Sequence, residues 1–123
     1  MILVDTSVWV DHLHRAEPRL GALLERDLVG VHPMVIAELA LGSLAHRRQV
    51  LALLQDLRCP PILTEDELLG MIETHRLSSR GIGVVDAHLL GSALLEKGSQ
   101  LWTRDKRLRA ACGDVGVTAV TWR

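Results

Sequence analysis

Four acidic residues interrupt apolar segments of this sequence, where an unpaired carboxylate is costly to bury. They are Asp5, Glu38, Asp86 and Asp105. Glu38 lies in a predicted helix over Met34–Leu41 that contains no lysine or arginine, so no cation on that helix can pair with it. A single divalent cation would compensate all four acids if they converge. Mg²⁺ and Mn²⁺ suit such a cluster, because both prefer carboxylate and water oxygens.

The first of these acids, Asp5, comes directly after the short apolar run Ile2–Val4. A run without polar residues is typical of a strand in a parallel sheet that is covered on both faces. Ligands of open α/β sheets bind at the carboxyl ends of such strands. Helical apolar spacing begins at Ser7, which puts Asp5 in a strand-to-helix turn. Asp is also a favoured helix N-cap, so a capping role and a functional role both remain open for Asp5 at this point.

Strand-like and helix-like segments alternate along the rest of the chain, as in βαβ units. The predicted strands are Ile2–Val4, Val29–His32, Gln100–Thr103 and Val117–Val120. The predicted helices begin near Ser7, Pro18, Met34, His46, Glu65 and Val84. The helix over Val84–Leu95 is apolar on nearly every side, which indicates burial and leaves Asp86 as an acid in an apolar setting. Asp105, like Asp5, falls just past the carboxyl end of a predicted strand.

The composition predicts a single soluble domain over residues 1–123. The chain is 48% apolar, which is enough for one core, and it has no apolar stretch that could cross a membrane. The amino terminus lacks the features of a signal peptide, so a cytoplasmic location is expected. Cys59 and Cys112 form no metal-binding or disulfide motif. The six histidines show no recurrent ligand spacing, which argues against a zinc site.

The net charge of −1 predicts no general attraction for nucleic acid, so any contact with phosphate must be local. The candidate phosphate contacts are Arg104, Lys106 and Arg107, with Arg109, Arg47, Arg48, Arg76 and Arg80 as further basic positions. An ordinary solvated helix face explains each cluster as well. The chain has no Phe or Tyr. Only its three tryptophans are available to stack on a base, which argues against a stacking platform for single strands.

Four segments, taken in order, resemble the PIN-domain ribonucleases and in particular the VapC-type toxins of bacterial toxin–antitoxin pairs. They are Val4–Trp9, Ile36–Leu39, Asp86–Leu90 and Thr103–Asp105. One such segment is weak, whereas four in order over a chain of this length are specific. The resemblance implies an α/β fold, a three-layer α/β/α sandwich with a central parallel sheet of about five strands.

The same resemblance implies a metal-dependent endoribonuclease in which Asp5 and Asp86 hold Mg²⁺ or Mn²⁺. Glu38 and Asp105 complete the acidic cluster, directly or through water. The hydroxyls implied to hydrogen-bond the carboxylates or the coordinated water belong to Thr6, Ser7 and Thr103. The implied reaction is attack of a metal-activated water on an RNA phosphodiester, with transfer RNA as the expected substrate.

Two protein partners follow from the resemblance. One is a small antitoxin that lays an amphipathic segment across the toxin and blocks the acidic site. The helices bearing Trp9, Leu13, Leu20 and Leu24 are candidates for its groove, although the same residues would also be normal core. The other is a second copy of the chain, in a homodimer or a toxin–antitoxin hetero-oligomer. No membrane partner is expected.

A function of another class also remains open at this stage. A binding module without hydrolytic activity would keep its partner binding after Asp5→Ala. Two further α/β classes fit less well. A receiver domain needs paired acids after its first strand, and a dinucleotide-binding domain needs a glycine-rich turn where Asp5-Thr6-Ser7 stands.

Overall fold

A parallel sheet forms the centre of the computed structural model, which describes residues 1–122. Its strands are β1 (Ile2–Val4), β2 (Val29–Gly30), β3 (Gln100–Trp102) and β4 (Thr118–Ala119), in the order β2-β1-β3-β4. β1 pairs with both β2 and β3, and Leu3 lies opposite Gly30 on one side and Leu101 on the other. Successive side chains of a strand point to opposite faces. Leu3 and Val4 are both 0% exposed, so both faces of the sheet are covered, as the apolar run predicted.

Within residues 1–122 the chain forms seven helices. They are α1 (Thr6–His14), α2 (Pro18–Glu25), α3 (Pro33–Leu41), α4 (Arg47–Asp56), α5 (Glu65–Thr74), α6 (Val84–Leu95) and α7 (Lys106–Val115). α3 packs against α1 and α4, whereas α6 packs against α5, α7 and β3. The buried apolar residues form one cluster that extends from Leu3 to Val120. The α/β sandwich implied by the family resemblance is therefore confirmed. No helix in this part of the chain combines the length and the apolar character that crossing a membrane requires.

The described sheet has four strands, whereas about five were expected. On the free side of β2, Arg58 makes a single parallel bridge with Gly30, and its carbonyl accepts a hydrogen bond from the Val31 N–H. Pro60 and Pro61 follow almost immediately. Proline has no N–H to donate, so pairing along β2 ends after one bridge and no fifth strand develops there.

The helix that carries Glu38 starts at a well-defined cap. Pro33 occupies the first turn of α3, where a missing N–H costs nothing, and the His32 Nδ1 atom accepts a hydrogen bond from the Met34 N–H at 3.0 Å. Burial, with a smaller contribution from His88, lowers the pKa of His32 to about 4. The imidazole is thus neutral at pH 7, as an Nδ1 acceptor must be. α3 therefore begins at a fixed point, from which Glu38 extends toward the start of α1.

Candidate active site

Two of the four acids lie side by side at one edge of the sheet. Asp5 follows β1 and Asp105 follows β3, and these two strands are neighbours. The Asp5 N–H donates to the Trp102 carbonyl at 2.9 Å, which ties the end of β1 to the end of β3. The site therefore forms at the carboxyl ends of adjacent parallel strands, the usual place for ligands in such sheets.

Asp5 is buried, with 5% of its surface exposed. Its Oδ2 atom accepts hydrogen bonds from Ser7 Oγ at 2.8 Å and from Thr103 Oγ1 at 2.7 Å. These hydroxyls are themselves oriented, because the Arg104 N–H donates to Ser7 Oγ and the Asp105 N–H donates to Thr103 Oγ1. Asp5 occupies the N-cap position of α1, yet its side chain makes no capping bond. The carboxylate is therefore held by side-chain hydroxyls, and the capping alternative does not describe it.

Glu38 reaches the same region from α3. Thr6 Oγ1 donates to Glu38 Oε1 at 2.5 Å, and Thr6 is the residue after Asp5. The packing of α1 against α3 brings these helices together. Glu38 is solvent-exposed, so this acid stands at the mouth of the site whereas Asp5 lies in its floor.

Asp86 lies in the first turn of α6, where its Oδ2 atom accepts a hydrogen bond from the Gly83 N–H at 3.1 Å. Burial raises the pKa of this carboxyl, and the Gly83 hydrogen bond opposes the rise. The charges of Asp5, Asp105 and Glu38 raise the pKa further. Acids from three other segments therefore lie close enough to Asp86 for their charges to act on its carboxyl.

Asp105 has a structural task in addition to its place in this cluster. It is the N-cap of α7, and its Oδ1 atom accepts hydrogen bonds from the Arg107 N–H at 2.8 Å and the Leu108 N–H at 3.2 Å. Both bonds end on Oδ1, so they leave Oδ2 outside the cap. Asp105 is exposed, which makes it an outer member of the cluster like Glu38.

A divalent cation fits this donor set. None of the ion pairs within residues 1–122 involves the four acids, and the charges of the other three raise the pKa of Asp86. In the same residues, no three His, Cys, Asp or Glu side chains are placed to hold one ion by themselves. Mg²⁺ seldom uses such an all-protein cage, since it keeps several waters and takes one or two carboxylates. The acids fit a hydrated cation better than a fully dehydrated one.

Arg104, predicted to contact RNA phosphates, has its guanidinium engaged within the protein. It pairs with Asp11 at 2.5 Å and with Glu17 at 2.8 Å, and it lies over the Trp102 ring. These contacts join α1 and the start of α2 to the end of β3. The structure therefore supports a role for Arg104 in holding α1 and the start of α2 against the end of β3. It gives no support to the predicted phosphate contact. Sequence reasoning missed Asp11 and Glu17, because nothing in their local pattern points to a partner about ninety residues away.

The other basic positions separate into engaged and exposed side chains. Arg47 donates to the Ala40 and Gly42 carbonyls at the end of α3, and Arg80 pairs with Asp114. Lys106 and Arg107 are exposed on the first turn of α7. Arg107 also packs over Gly81, so a Cβ at Gly81 would require the Arg107 side chain to shift, and the φ of +75° there favours glycine. The loop leading to Asp86 is therefore in contact with the candidate phosphate-binding helix.

An apolar groove of about 310 Å³ lies along α1, α2 and α4. Its lining includes Trp9, His12, Leu13, Leu24, Leu53 and Leu57. Trp9, Leu13 and Leu24 had been predicted to form a partner surface, and they do line this groove. Leu20, predicted with them, does not, because it is fully buried in the core.

Comparisons with known proteins agree with this architecture. The PIN domain family profile matches residues 2–114, a range that includes all four acids and the hydroxyls around them. Two relatives from Mycobacterium tuberculosis, of strains CDC 1551 / Oshkosh and ATCC 25618 / H37Rv, are each named Ribonuclease VapC32. Each is 56% identical to this chain over 117 residues, which covers 95% of this chain and 94% of the relative.

Proposed function

This chain belongs to the PIN domain family, as a member of VapC type, and from that premise we propose that it is a metal-dependent endoribonuclease acting as the toxin of a toxin–antitoxin pair. The observation that carries the proposal is the convergence of carboxylates from separate segments, since the charges of Asp5, Asp105 and Glu38 all raise the pKa of Asp86. Two more contacts support it, since hydroxyls hold both the buried Asp5 and the exposed Glu38. Such a cluster is suited to a divalent cation and is poorly explained as packing.

The proposed reaction is hydrolysis of an RNA phosphodiester. When bound, Mg²⁺ or Mn²⁺ supplies Lewis acidity toward water and toward phosphate oxygens. Asp5 and Asp86 would hold the cation, and Ser7 and Thr103 orient Asp5 by donating to one of its oxygens. Glu38 and Asp105 would complete the acidic cluster, directly or through water, and Thr6 orients Glu38. The residues thus divide into inner acids, outer acids and the hydroxyls that position them.

Lys106 and Arg107 are the proposed contacts to the RNA backbone. Both are exposed on the helix that Asp105 caps, so they are close in sequence and in space to the outer edge of the acidic cluster. Local cations of this kind are needed because the net charge of −1 provides no attraction over the whole surface. Transfer RNA is the proposed substrate class, following the family resemblance.

The direct test is cleavage of a total small-RNA pool by purified protein, with Mg²⁺ or Mn²⁺ and with a chelator. We expect discrete products that need the metal and disappear with the chelator. Absence of products with either metal, from folded protein that carries no antitoxin, would overturn the nuclease proposal. A binding module without hydrolytic activity would then be the better description.

Thr103→Val tests whether the hydroxyl network matters for this reaction. Thr103 is fully buried and valine has nearly the same shape, so the change removes a donor to Asp5 and the acceptor of the Asp105 N–H without creating a cavity. We expect cleavage to fall about 10- to 100-fold, the usual cost of losing a group that orients a metal ligand. The free energy of unfolding should fall by about 1–3 kcal/mol, because the buried Asp5 carboxylate loses a hydrogen-bond donor.

Thr103→Ser is the matched control, since it keeps the hydroxyl and loses only a methyl group. Initial cleavage rates and denaturant unfolding of both variants separate activity from stability. Wild-type rates in Thr103→Val would show that the hydroxyl has no role in positioning Asp5.

We propose that the apolar groove along α1, α2 and α4 binds the cognate antitoxin. Leu53 lines this groove and is 67% exposed, so together with the other apolar lining residues it presents an apolar patch to solvent. The groove shares Leu13 and Val50 with a second cavity that Glu38 also lines, so a segment lying in it would extend toward the acidic cluster. Homodimerisation also remains a proposal, supported by exposed apolar side chains outside the groove at Ile62, Leu94 and Leu95.

Leu53→Asp is expected to weaken antitoxin binding at least about tenfold, because it places a charge in an apolar interface. Leu69→Asp is the matched control, as Leu69 is 61% exposed but lies on α5 outside the groove. Titration calorimetry with the purified antitoxin measures the affinities of both variants and of wild type. Equal affinities for wild type and Leu53→Asp would place the antitoxin elsewhere on the surface.

A further inference from the structure

A second cavity, of about 530 Å³, opens directly beside Glu38. It is enclosed by the end of α1, the end of α3 and the connection over residues 42–46. Its apolar lining comes from Val10, Leu13, Leu39 and Val50, and its polar side chains are Glu38, Ser43, His14 and His46. The metal chemistry proposed above involves Glu38 but assigns no function to the other residues that line this cavity.

The wall of this cavity is held in place by specific contacts. The Arg47 guanidinium donates to the Ala40 and Gly42 carbonyls, which attaches the start of α4 to the end of α3. His46 adopts the left-handed conformation, with φ 51° and ψ 45°, which residues other than glycine seldom adopt. The connection between α3 and α4 is therefore a defined turn that carries an imidazole along the edge of the cavity.

The chemistry of the lining favours a nucleobase over a phosphate or an acidic group. The Glu38 carboxylate repels anions, whereas it accepts hydrogen bonds from the amino and ring N–H groups that bases carry. The apolar residues suit the faces of a flat ring. The volume lies within the usual range for small-molecule sites, so a purine or a pyrimidine fits.

The prediction against a stacking platform considered only the three tryptophans. Of these, Trp9 and Trp102 are buried in the core and Trp122 is half-buried, whereas imidazoles also offer stacking surfaces. His14 and His46 are exposed and line the cavity. Proteins that recognise single-stranded RNA stack unpaired bases on aromatic side chains, histidine among them.

We propose that this cavity binds the base of the nucleotide next to the scissile phosphate, and that His14 and His46 contribute to the choice of cleavage site. The assignment rests on the proposed ribonuclease function, since it places the base beside Glu38 at the mouth of the acidic cluster. The cavity joins the antitoxin groove through Leu13 and Val50. A base and an antitoxin segment would therefore compete for adjoining space.

A nucleoside titration tests the binding step without any catalysis. Adenosine, guanosine, cytidine and uridine, which lack phosphate, are added to wild-type protein in the presence of a chelator. Imidazole signals are followed by nuclear magnetic resonance. We expect saturable shifts at His14 and His46 with at least one nucleoside and none at His75, which lies at the end of α5. Absence of shifts at both histidines at millimolar nucleoside would overturn the proposal, whether or not the protein cleaves RNA. Shifts produced only by the antitoxin would assign the cavity to that partner and would also overturn it.

Cleavage of a randomised single-stranded RNA pool tests the specificity step. For His46→Asn, which keeps a residue tolerant of the left-handed conformation, and for His14→Ala, we expect kcat/KM on the preferred sequence to fall about 5- to 100-fold, the range typical of a lost stacking contact. The base preference at one position beside the cut should weaken in parallel. His75→Ala is the control and should keep both rate and preference. An unchanged base preference in both pocket variants would overturn the proposed role, whereas a wild type that cleaves neither this pool nor the small-RNA pool would instead overturn the ribonuclease function.

Discussion

Asp5→Asn is expected to abolish RNA cleavage while the protein remains folded. Asparagine has the shape of aspartate and its amide oxygen still accepts from Ser7 and Thr103, so the hydrogen bonds that hold the side chain persist. The negative charge that would bind the cation is lost. A metal ion stabilises the transition state by several kcal/mol, and each 1.36 kcal/mol corresponds to a factor of ten in rate. We therefore expect a loss of about 1,000-fold or more.

Initial rates on a fixed RNA substrate with Mg²⁺ or Mn²⁺ measure this effect, and thermal unfolding reports on the fold. Asp56→Asn is the matched control, because Asp56 ends α4 and is exposed outside the acidic cluster. It should cleave at the wild-type rate. An Asp5→Asn protein that keeps a tenth or more of the activity would mean that Asp5 is not a ligand of the catalytic metal.

Asp86→Asn is expected to abolish cleavage and, at the same time, to stabilise the metal-free protein at pH 7. Burial and the three neighbouring acids raise the pKa of Asp86 in the folded state above its ordinary value of 3.8. The folded state therefore binds this proton more tightly than the unfolded chain does. Ionising Asp86 costs stability as the pH rises from about 3.8 through the folded-state pKa, and the full cost persists at pH 7. An uncharged asparagine at position 86 avoids this loss of stability.

Thermal unfolding in the presence of chelator measures this gain as a higher Tm for Asp86→Asn than for wild type. The difference should narrow as the pH is lowered toward about 4, where aspartate becomes protonated. Adding Mn²⁺ should raise the Tm of wild type more than that of the variant, because a ligand stabilises the state that binds it. A lower Tm for Asp86→Asn in chelator at pH 7 would show that its hydrogen bond to Gly83 outweighs the repulsion from its neighbours.

Local sequence patterns determined most of the elements of this fold. The apolar run Ile2–Val4 predicts a strand buried on both faces, and the structure contains it. Thr64 and Glu67 predict a capping box at the start of α5, and both of its hydrogen bonds are present. The helix Val84–Leu95 also has the predicted bounds. These signals act over a few residues, since periodicity and capping depend on near neighbours along the chain.

The sequence also contained the four candidate acids, because each interrupts apolar residues. The residues indicated a shared divalent cation only if the four acids converge. The family resemblance implied this convergence, since the spacing between the acids carries no information about distance. The tertiary structure brings Thr103 to Asp5 across 98 residues and lets the other three acids shift the pKa of Asp86. The strand order accounts for the contact between Thr103 and Asp5. β1 and β3 are neighbours in the sheet although β2 and six helices separate them along the chain.

Tertiary packing alone decided which side chains serve the site and which serve the fold. Arg104 looked like a phosphate contact and instead joins Asp11 and Glu17, while His14 and His46, which have no motif, line the cavity beside Glu38. The sequence by itself thus determined the elements and the acids available for chemistry. Their partners depend on how helices pack across the sheet, and contacts between residues far apart in sequence leave no trace in the local pattern that encodes each helix and strand.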